Sequence, residues 1–201
     1  MMRRRAMMGE RPEWDFEWDY TMGDPTQNGM NVDKTSSGAT GTLTSEGFQI
    51  TTTSGSYYYQ LYISDTNMRR ATSGVMEVVF KPTNLLNAQE NFVMRLGNND
   101  YGIRTVIIQD SSGATSYFWK ISDGTTKYDG TKLWSTKINK NTEYKLKLVL
   151  YGNKNYEAYV NDVLTKSGVL GSVTTLGTLS VMQRGGASLL KSFKLKFNRT
   201  E

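Results

Sequence analysis

Three acidic side chains near the start of the chain have a spacing that could support acid–base chemistry. Glu13, Asp15 and Glu17 alternate with aromatic residues, so a strand would place their carboxylates on one face. Retaining hydrolysis of a glycosidic bond needs two carboxyl groups roughly 5 to 5.5 Å apart. The same alternation also arises when one face of a strand is buried and the other faces water. We favour this second explanation, and we expect no catalytic residues and no enzymatic activity.

The composition excludes several other kinds of active site. The 201 residues include no histidine and no cysteine. The chain therefore has no Ser/His/Asp or Cys/His constellation, no thiolate nucleophile, no disulfide and no structural zinc site based on thiolates.

The net charge of +5 is distributed unevenly along the chain. Residues 1–12 contribute +3, residues 13–109 contribute −5 and residues 110–201 contribute +7. Such an asymmetry favours the steering of a charged partner or the docking of subunits. The lysines lie on alternating strand positions, which a solvated face explains, so we predict no binding of nucleic acid.

A short basic segment, residues 1–12, precedes the rest of the chain. Its apolar stretch is shorter than the roughly 7 to 15 residues of a secretory signal, and no run approaches the roughly 20 residues of a membrane span. Such an arm could dock into a neighbouring subunit, because methionine fits irregular grooves; the alternative is a disordered start. The residues predicted to form this assembly arm are Arg3, Arg4, Arg5, Met7 and Met8.

Residues 13–201 are predicted to form one all-β domain. Alternation of apolar and polar residues predicts half-buried strands close to both ends, at residues 13–20 and 192–197. Residues 144–151 and 156–160 are predicted to form a hairpin, which Asn161-Asp162 closes before the next strand. Further strands are predicted at residues 48–53, 57–63, 75–81, 92–96, 103–109, 117–121 and 179–183. The best helix candidate is a single turn at residues 85–90, too short to be more than a connector.

The strand order, and the segment from Glu143 to Asp162 in particular, resembles the concanavalin A-like jelly roll in its laminin-G-like branch. In that family a strand rich in Leu and Val leads through a Gly/Asn turn to a Tyr-Val-Asn-Gly tip, and here Asp162 replaces the glycine. The resemblance implies an antiparallel jelly-roll β-sandwich. It does not select a function, because the family includes lectins, adhesion modules, hydrolases and capsid or tail components.

The same resemblance bears on catalysis and on metals. Glucanases of this fold carry an E-x-D-x-E motif on an interior strand, whereas the similar motif here opens the chain. Some modules that resemble this chain bind calcium at the rim through aspartates and backbone carbonyls. No loop has the closely spaced acidic run of a dedicated site, so we predict no cofactor and keep calcium as an alternative. The rim candidates are Asp100, Asp110, Asp123 and Asp129.

Carbohydrate binding is the activity that the residue types favour. Sugar faces stack on aromatic rings, and sugar hydroxyls bond to amides, carboxylates and guanidinium groups. The alternative for each aromatic ring is packing in the core, and Arg95 and Arg104 could instead discourage pairing at a sheet edge. Gln60 shares one face of a predicted strand with its neighbouring tyrosines. The candidate ligand-binding residues are Tyr58, Gln60, Tyr62, Arg95, Asn98, Asn99, Trp119, Tyr128 and Trp134.

The basic, Met-rich start resembles the openings of structural proteins from tailed phages of Gram-positive and gut bacteria. This second resemblance implies a virion structural or adhesion protein, in the tail or on the capsid, that displays the jelly roll towards host-surface or environmental glycans. Its partners would then be other virion subunits or copies of this chain. The alternative is a free lectin-like module, extracellular or at the cell surface, with a glycoside hydrolase as a third and more distant interpretation.

Overall fold

The computed structural model describes residues 14–35, 37–87, 90–97, 102–109, 116–118, 137–171 and 175–197. These residues form two single-turn 3-10 helices, Tyr20–Met22 and Pro25–Asn28, and one short helix, α1 (Thr66–Arg70). The rest of the regular structure is β. The strands in chain order are β1 (Phe16–Asp19), β2 (Asn31–Lys34), β3 (Ala39–Thr44), β4 (Gly47–Thr52), β5 (Tyr59–Ile63), β6 (Gly74–Asn84), β7 (Glu90–Gly97), β8 (Gly102–Gln109), β9 (Ser116–Phe118), β10 (Lys137–Ile138), β11 (Tyr144–Leu150), β12 (Asn155–Val160), β13 (Val163–Val169), β14 (Thr178–Gln183) and β15 (Gly186–Phe197).

The strands form two antiparallel sheets that pack face to face. The eight-stranded sheet has the order β13-β12-β11-β6-β15-β4-β3, and β1 pairs with β15 beside that path. The seven-stranded sheet has the order β10-β9-β8-β7-β14-β5-β2. Some neighbours, such as β6 with β15 and β7 with β14, come from distant parts of the sequence, whereas β7 to β10 and β11 to β13 follow one another in the chain. The predicted antiparallel β-sandwich is confirmed.

Alternation of side chains produces the core between the sheets. On β6 and β11 every second residue is buried, among them Val78, Phe80, Leu146 and Leu148. Phe80 of one sheet stacks on Phe92 of the other, with ring centroids 4.2 Å apart and planes 6° from parallel. Burial of every second residue is the pattern expected for a sheet with one face covered. Here the buried residues of both sheets pack together in one apolar layer.

The two half-buried strands predicted near the chain ends pair with each other. Phe16 of β1 lies opposite Leu195 of β15, and Trp18, fully buried, lies opposite Phe193. The Trp18 indole donates a hydrogen bond of 3.0 Å to the carbonyl of Gly23. β15 therefore has β6 on one side and, on its other side, first β4 and then β1.

The predicted hairpin is present, and its closing turn has the required backbone conformation. Asn161 and Asp162 both have positive φ, 50° and 64°, between β12 and β13. Asparagine and aspartate tolerate this left-handed region better than most residues. Asp162 thus takes the position that glycine holds in the resembling family.

The helix prediction was wrong. Asn87 forms an isolated bridge with Gln109, and Glu90 already begins β7. The α-helix lies instead at α1, where the Asp65 carboxylate accepts a hydrogen bond from the Met68 amide. A five-residue helix is too short to produce helical periodicity, although Asp65 is a typical N-cap. Among the described residues no helix is long and apolar enough to cross a membrane.

A substitution at Gly41 on β3 tests how closely the two sheets pack. A Cβ atom there would lie 2.5 Å from the Tyr59 ring and 2.7 Å from the Phe48 ring, so Gly41→Ala must displace one of them. We expect it to lower the free energy of unfolding by about 1–3 kcal/mol, measured by urea denaturation. Thr42→Ala, at the exposed neighbouring position, is the matched control and should change stability little. Equal stability of the two variants would contradict the close packing.

Candidate functional site on the outer face of the seven-stranded sheet

Alternation on β5 places a polar face outside the sandwich. Tyr59, Leu61 and Ile63 belong to the core, whereas Gln60 and Tyr62 are only partly buried and lie on the opposite side of the strand. We call this side of the seven-stranded sheet the outer face. Tyr58, one residue before β5, has the same parity as Gln60.

Register brings residues from five strands into one row across the outer face. Asn31 pairs with Tyr62, Tyr62 with Ser180, Ser180 with Arg95, and Arg95 with Arg104. Neighbouring strands are about 4.8 Å apart, so the Cα atoms of Tyr62 and Arg95, two strands apart, are separated by roughly 10 Å.

A second, parallel row shows which part of the outer face is accessible. Its members, in order from β2 to β8, are Asp33, Gln60, Met182, Val93 and Val106. Val93 and Val106 are buried although they lie outside the core cluster. At this row the face is therefore covered over β7 and β8, whereas Asp33 is exposed and Gln60 and Met182 are partly exposed. In the first row Ser180 of β14 is buried, so the open part of the face lies over β2 and β5.

Tyr58 and Asp33 form a fixed polar pair at the open part of the face. The Tyr58 hydroxyl lies 3.2 Å from both carboxylate oxygens of Asp33 and donates to them. The hydrogen bond to Asp33, and its negative charge, raise the pKa of Tyr58 above the ordinary value. Tyr58 thus stays a neutral donor over the physiological range of pH.

Arg184, just after β14, belongs to a charged cluster on the outer face. Glu90 Oε2 accepts from Arg104 at 2.5 Å and from Arg184 at 2.9 Å. Arg184 and Glu90 also line a small groove together with Gly55 and Ser56. Tyr58 and Arg184 each lie one residue beyond the registered pair of Tyr59 with Gln183.

Four of the predicted ligand-binding residues lie on this one face: Tyr58, Gln60, Tyr62 and Arg95. Neither Tyr58 nor Tyr62 packs in the core, so the alternative interpretation is wrong for both. The edge-charge interpretation is wrong for Arg95, because β7 is paired on both sides of this residue, with β8 and with β14. Arg104 lies on the part of β8 that the described pairing with β9, at residues 107–109, does not reach. The other predicted residues lie outside the described part of the chain: Asn98, Asn99, Trp119, Tyr128, Trp134, the arm residues Arg3, Arg4, Arg5, Met7 and Met8, and the calcium candidates Asp100, Asp110, Asp123 and Asp129.

The acidic motif at the start of the chain contacts the eight-stranded sheet instead. The Asp15 carboxylate accepts a hydrogen bond of 2.9 Å from the Phe197 amide, and Glu17 forms an ion pair of 2.8 Å with Lys194. Glu13 lies outside the described residues. Asp15 and Glu17 therefore hold β1 against β15, which is a structural task.

Sequence reasoning missed a second surface, on the eight-stranded sheet. A groove of about 510 Å³ lies over β12 and β13 and is lined by residues that include Tyr151, Asn155 and Val169. Glu157 accepts hydrogen bonds from the Tyr151 and Tyr159 hydroxyls at 2.7 and 2.6 Å. The bond between Tyr159 and Glu157 is the main cause that raises the pKa of Tyr159 to about 12. In the sequence, the only signals for this group of side chains are the alternation along the strand, which places Glu157 and Tyr159 on one face, and the turn at Asn153, which brings Tyr151 back towards them.

The described residues hold no cluster of three acidic side chains suited to a metal ion. The polar groups of the outer face are instead amides, hydroxyls, two carboxylates and arginines, which are hydrogen-bonding groups for a polar organic ligand.

Comparisons with known proteins agree with this architecture. No protein-family model matches the sequence, and no curated protein matches it significantly. Among solved structures, the chain is similar to the carbohydrate esterase vb_24B_21 from Shiga toxin-encoding bacteriophage phi24B, with a TM-score of 0.66 and 14% identity over 91% of this chain and 97% of that chain. The carbohydrate recognition domain of Emp47p gives a TM-score of 0.66 and 10% identity over 96% and 100% of the two chains.

The chain has a concanavalin A-like jelly-roll fold. A further similar structure is the carbohydrate binding module CBM66 from Bacillus subtilis, with a TM-score of 0.56 and 16% identity over 84% of this chain and 95% of that chain. Identities this low show the shared jelly roll alone, so the function of this chain has to be argued from its own residues.

Glu90 provides a test of the charged cluster. Glu90→Gln removes the carboxylate that two guanidinium groups share, and we expect unfolding in denaturant to show a loss of about 1–3 kcal/mol. The matched control is Glu46→Gln, because Glu46 forms a similar pair of 3.0 Å with Lys81 but is 64% exposed. Surface pairs contribute little, so the control should behave like the unchanged protein. If both variants lose the same stability, the Glu90 cluster is no more than a surface ion pair.

Proposed function

We propose that this chain is a carbohydrate-binding, lectin-like module and that it binds sugar on the outer face over β2 and β5. One observation carries the proposal: strand register places Tyr62, Gln60 and Asp33 together on the open part of one sheet face. These are an aromatic ring, which can stack on a sugar face, and an amide and a carboxylate, which can bond to sugar hydroxyls.

The geometry assigns a role to each group. The partly buried rings of Tyr58 and Tyr62 offer apolar surface for a sugar face, since they are held by the sheet but not enclosed in the core. Gln60 lies between them on the same face and can both donate to and accept from hydroxyls. Asp33, fixed by Tyr58, accepts from a sugar hydroxyl at the edge of the sheet.

Similar folds in known proteins support a sugar ligand. A carbohydrate recognition domain, a carbohydrate binding module and a phage carbohydrate esterase share the jelly roll. We propose binding without catalysis for this chain, because it has no histidine for a Ser/His/Asp triad and because Asp15 and Glu17 are engaged in holding β1.

Substitutions on the two sheets test the location of the site. On a glycan array, followed by calorimetric titration of the best-bound glycan, we expect Tyr62→Ala to weaken binding about tenfold, because an aromatic contact contributes about 0.5–1.5 kcal/mol. Gln60→Ala should also weaken binding. Tyr151→Ala removes an exposed ring from the opposite sheet and should bind like the unchanged protein. If only Tyr151→Ala loses binding, the site lies in the groove over β12 and β13. If the unchanged protein binds no glycan, the proposed carbohydrate-binding function is refuted.

We also propose that the module is carried on a virion, with the arm of residues 1–12 docked into a neighbouring subunit. The support is the basic, Met-rich arm and the bacteriophage origin of one similar structure. A free extracellular or cell-surface module is the alternative.

Deletion of residues 1–12 distinguishes a module carried on a virion from a free module. If the arm docks into a neighbour, the deleted chain should fail to enter phage particles. Its glycan affinity should stay unchanged, because the residues proposed to bind sugar lie on or beside β2 and β5 and are not removed. Particle incorporation would be measured by sedimentation and blotting, and affinity by calorimetry. Normal incorporation of the deleted chain would contradict the proposal that residues 1–12 dock into a neighbouring subunit.

A further inference from the structure

Most of the described sheet edges carry charges that oppose the addition of another strand. β2 has four residues, among them Asp33 and Lys34, and β10 has two, one of them Lys137. β1, beside the path of its sheet, has four residues of which two are acidic. Lys166 on β13 lies opposite the buried Ala158, so it is on the core-facing side of that edge. Short edges, edge charges and inward-facing charges all discourage pairing with a further strand.

The edge strand β3 has none of these features. Its six residues include no charge and no proline. Of the strands that the structure describes, β4 alone pairs with it. The side chains of Thr40, Thr42, Leu43 and Thr44 are exposed. Among the described edges, β3 is therefore the one whose composition permits a further strand to pair with it.

The hydrogen bonds to β4 determine which backbone groups of β3 point to the free edge. Gly38, directly before β3, lies opposite Thr53 and accepts a hydrogen bond of 2.9 Å from its amide. In an antiparallel pair, hydrogen-bonded and non-hydrogen-bonded positions alternate. Even-numbered residues of β3 therefore bond to β4, and the N–H and C=O groups of Ala39, Gly41 and Leu43 point away from it.

A second copy of β3 matches this edge in a register centred on Thr42. An antiparallel pair with a two-fold axis perpendicular to the sheet places Thr42 opposite Thr42 and Thr40 opposite Thr44, and threonine pairs across strands are favourable. Gly41 of each copy then lies opposite Leu43 of the other. Their outward N–H and C=O groups can exchange both hydrogen bonds in each such pair. No like charges face each other in this register.

Leu43 adds an apolar contribution to this pairing. It is 40% exposed, although it lies opposite the buried Phe48 on the core-facing side of β3. The Tyr59 ring fills the space beside Gly41, where a Cβ atom would lie 2.5 Å from it. Leu43 of a second copy, opposite Gly41, would cover the edge of this ring. The pairing thus removes an exposed apolar side chain of each copy from water.

We propose that two copies of this chain pair antiparallel through β3 and join their eight-stranded sheets into one continuous sheet. Because the two-fold axis is perpendicular to the sheets, the outer faces of both seven-stranded sheets point in the same direction. The pair therefore presents two outer faces to one surface, and two sites that bind together exceed the affinity of one. This consequence rests on the proposed sugar-binding function, whereas the pairing through β3 does not.

Sedimentation velocity over a series of concentrations tests the pairing. We expect the unchanged protein to shift from monomer towards dimer as its concentration rises, because an interface of one strand pair is small and weak. Thr42→Lys places two positive charges opposite each other at the two-fold axis and should stay monomeric, with an unchanged circular dichroism spectrum. Ser167→Lys, exposed on β13 at the other edge of the same sheet, is the matched control and should dimerise normally. A monomeric unchanged protein, or a dimer that Thr42→Lys leaves intact, would overturn the proposal.

A cysteine at position 42 tests the register, since the sequence contains no other cysteine. Opposite residues in a non-hydrogen-bonded antiparallel pair have Cα atoms about 4.5 Å apart, within the range of about 4.4–6.8 Å that a disulfide allows. Under mild oxidation Thr42→Cys should therefore give a disulfide-linked dimer on a non-reducing gel. In Thr40→Cys the two sulfurs are offset by roughly 13 Å along the strands, so little cross-linking is expected. Equal cross-linking of the two variants would contradict this register.

Binding to free and to surface-bound glycan distinguishes this inference from the proposed function. The unchanged protein and Thr42→Lys should bind a free glycan equally in calorimetry, whereas on a dense glycan surface Thr42→Lys should bind about tenfold or more weakly. Dimerisation without this difference would overturn the common direction of the two outer faces. A dimer that binds no glycan at all would refute the sugar-binding function and leave the pairing through β3 standing.

Discussion

Burial of one face of each sheet against the other is the interaction on which the rest of this structure depends. The Phe80–Phe92 stack and the buried residues around it form a single apolar layer. Because side chains alternate across a strand, each residue that enters this layer forces its neighbours outwards. On β5, burial of Leu61 is what presents Gln60 and Tyr62 to solvent. The core thus selects the residues that a ligand can reach.

The long strand β15 holds the eight-stranded sheet together. Its twelve residues pair with β6 on one side and with β4 and then β1 on the other. Asp15 and Glu17 belong to this arrangement, because one accepts from the Phe197 amide and the other pairs with Lys194. A motif that resembles a catalytic one therefore serves to attach the start of the domain to its central strand.

The outer face of the seven-stranded sheet combines rigidity with uneven charge. Its backbone positions are set by sheet pairing and its rings are partly buried, so few side-chain rotations remain to be lost when a ligand binds. The aspartate lies on the edge strand, and the arginine cluster lies towards the interior strands. The jelly roll supports many functions, so the function has to be argued from this distribution of groups.

The sequence by itself determined the all-β class, most of the strands, the turn at Asn161-Asp162 and the face of β5 to which Gln60 and Tyr62 belong. These are local properties, because period-2 alternation and turn chemistry extend over only a few residues. The strands that sequence patterns missed, β2, β3 and β10, are edge strands of the described sheets. The first two are largely exposed and lack a clear alternation. Only the tertiary structure decided that Tyr62, Ser180 and Arg95 are neighbours and that Glu90 serves both Arg104 and Arg184. Sheet pairing joins segments that are far apart in the chain, and the burial of the whole sandwich, rather than any local pattern, fixes which segments meet.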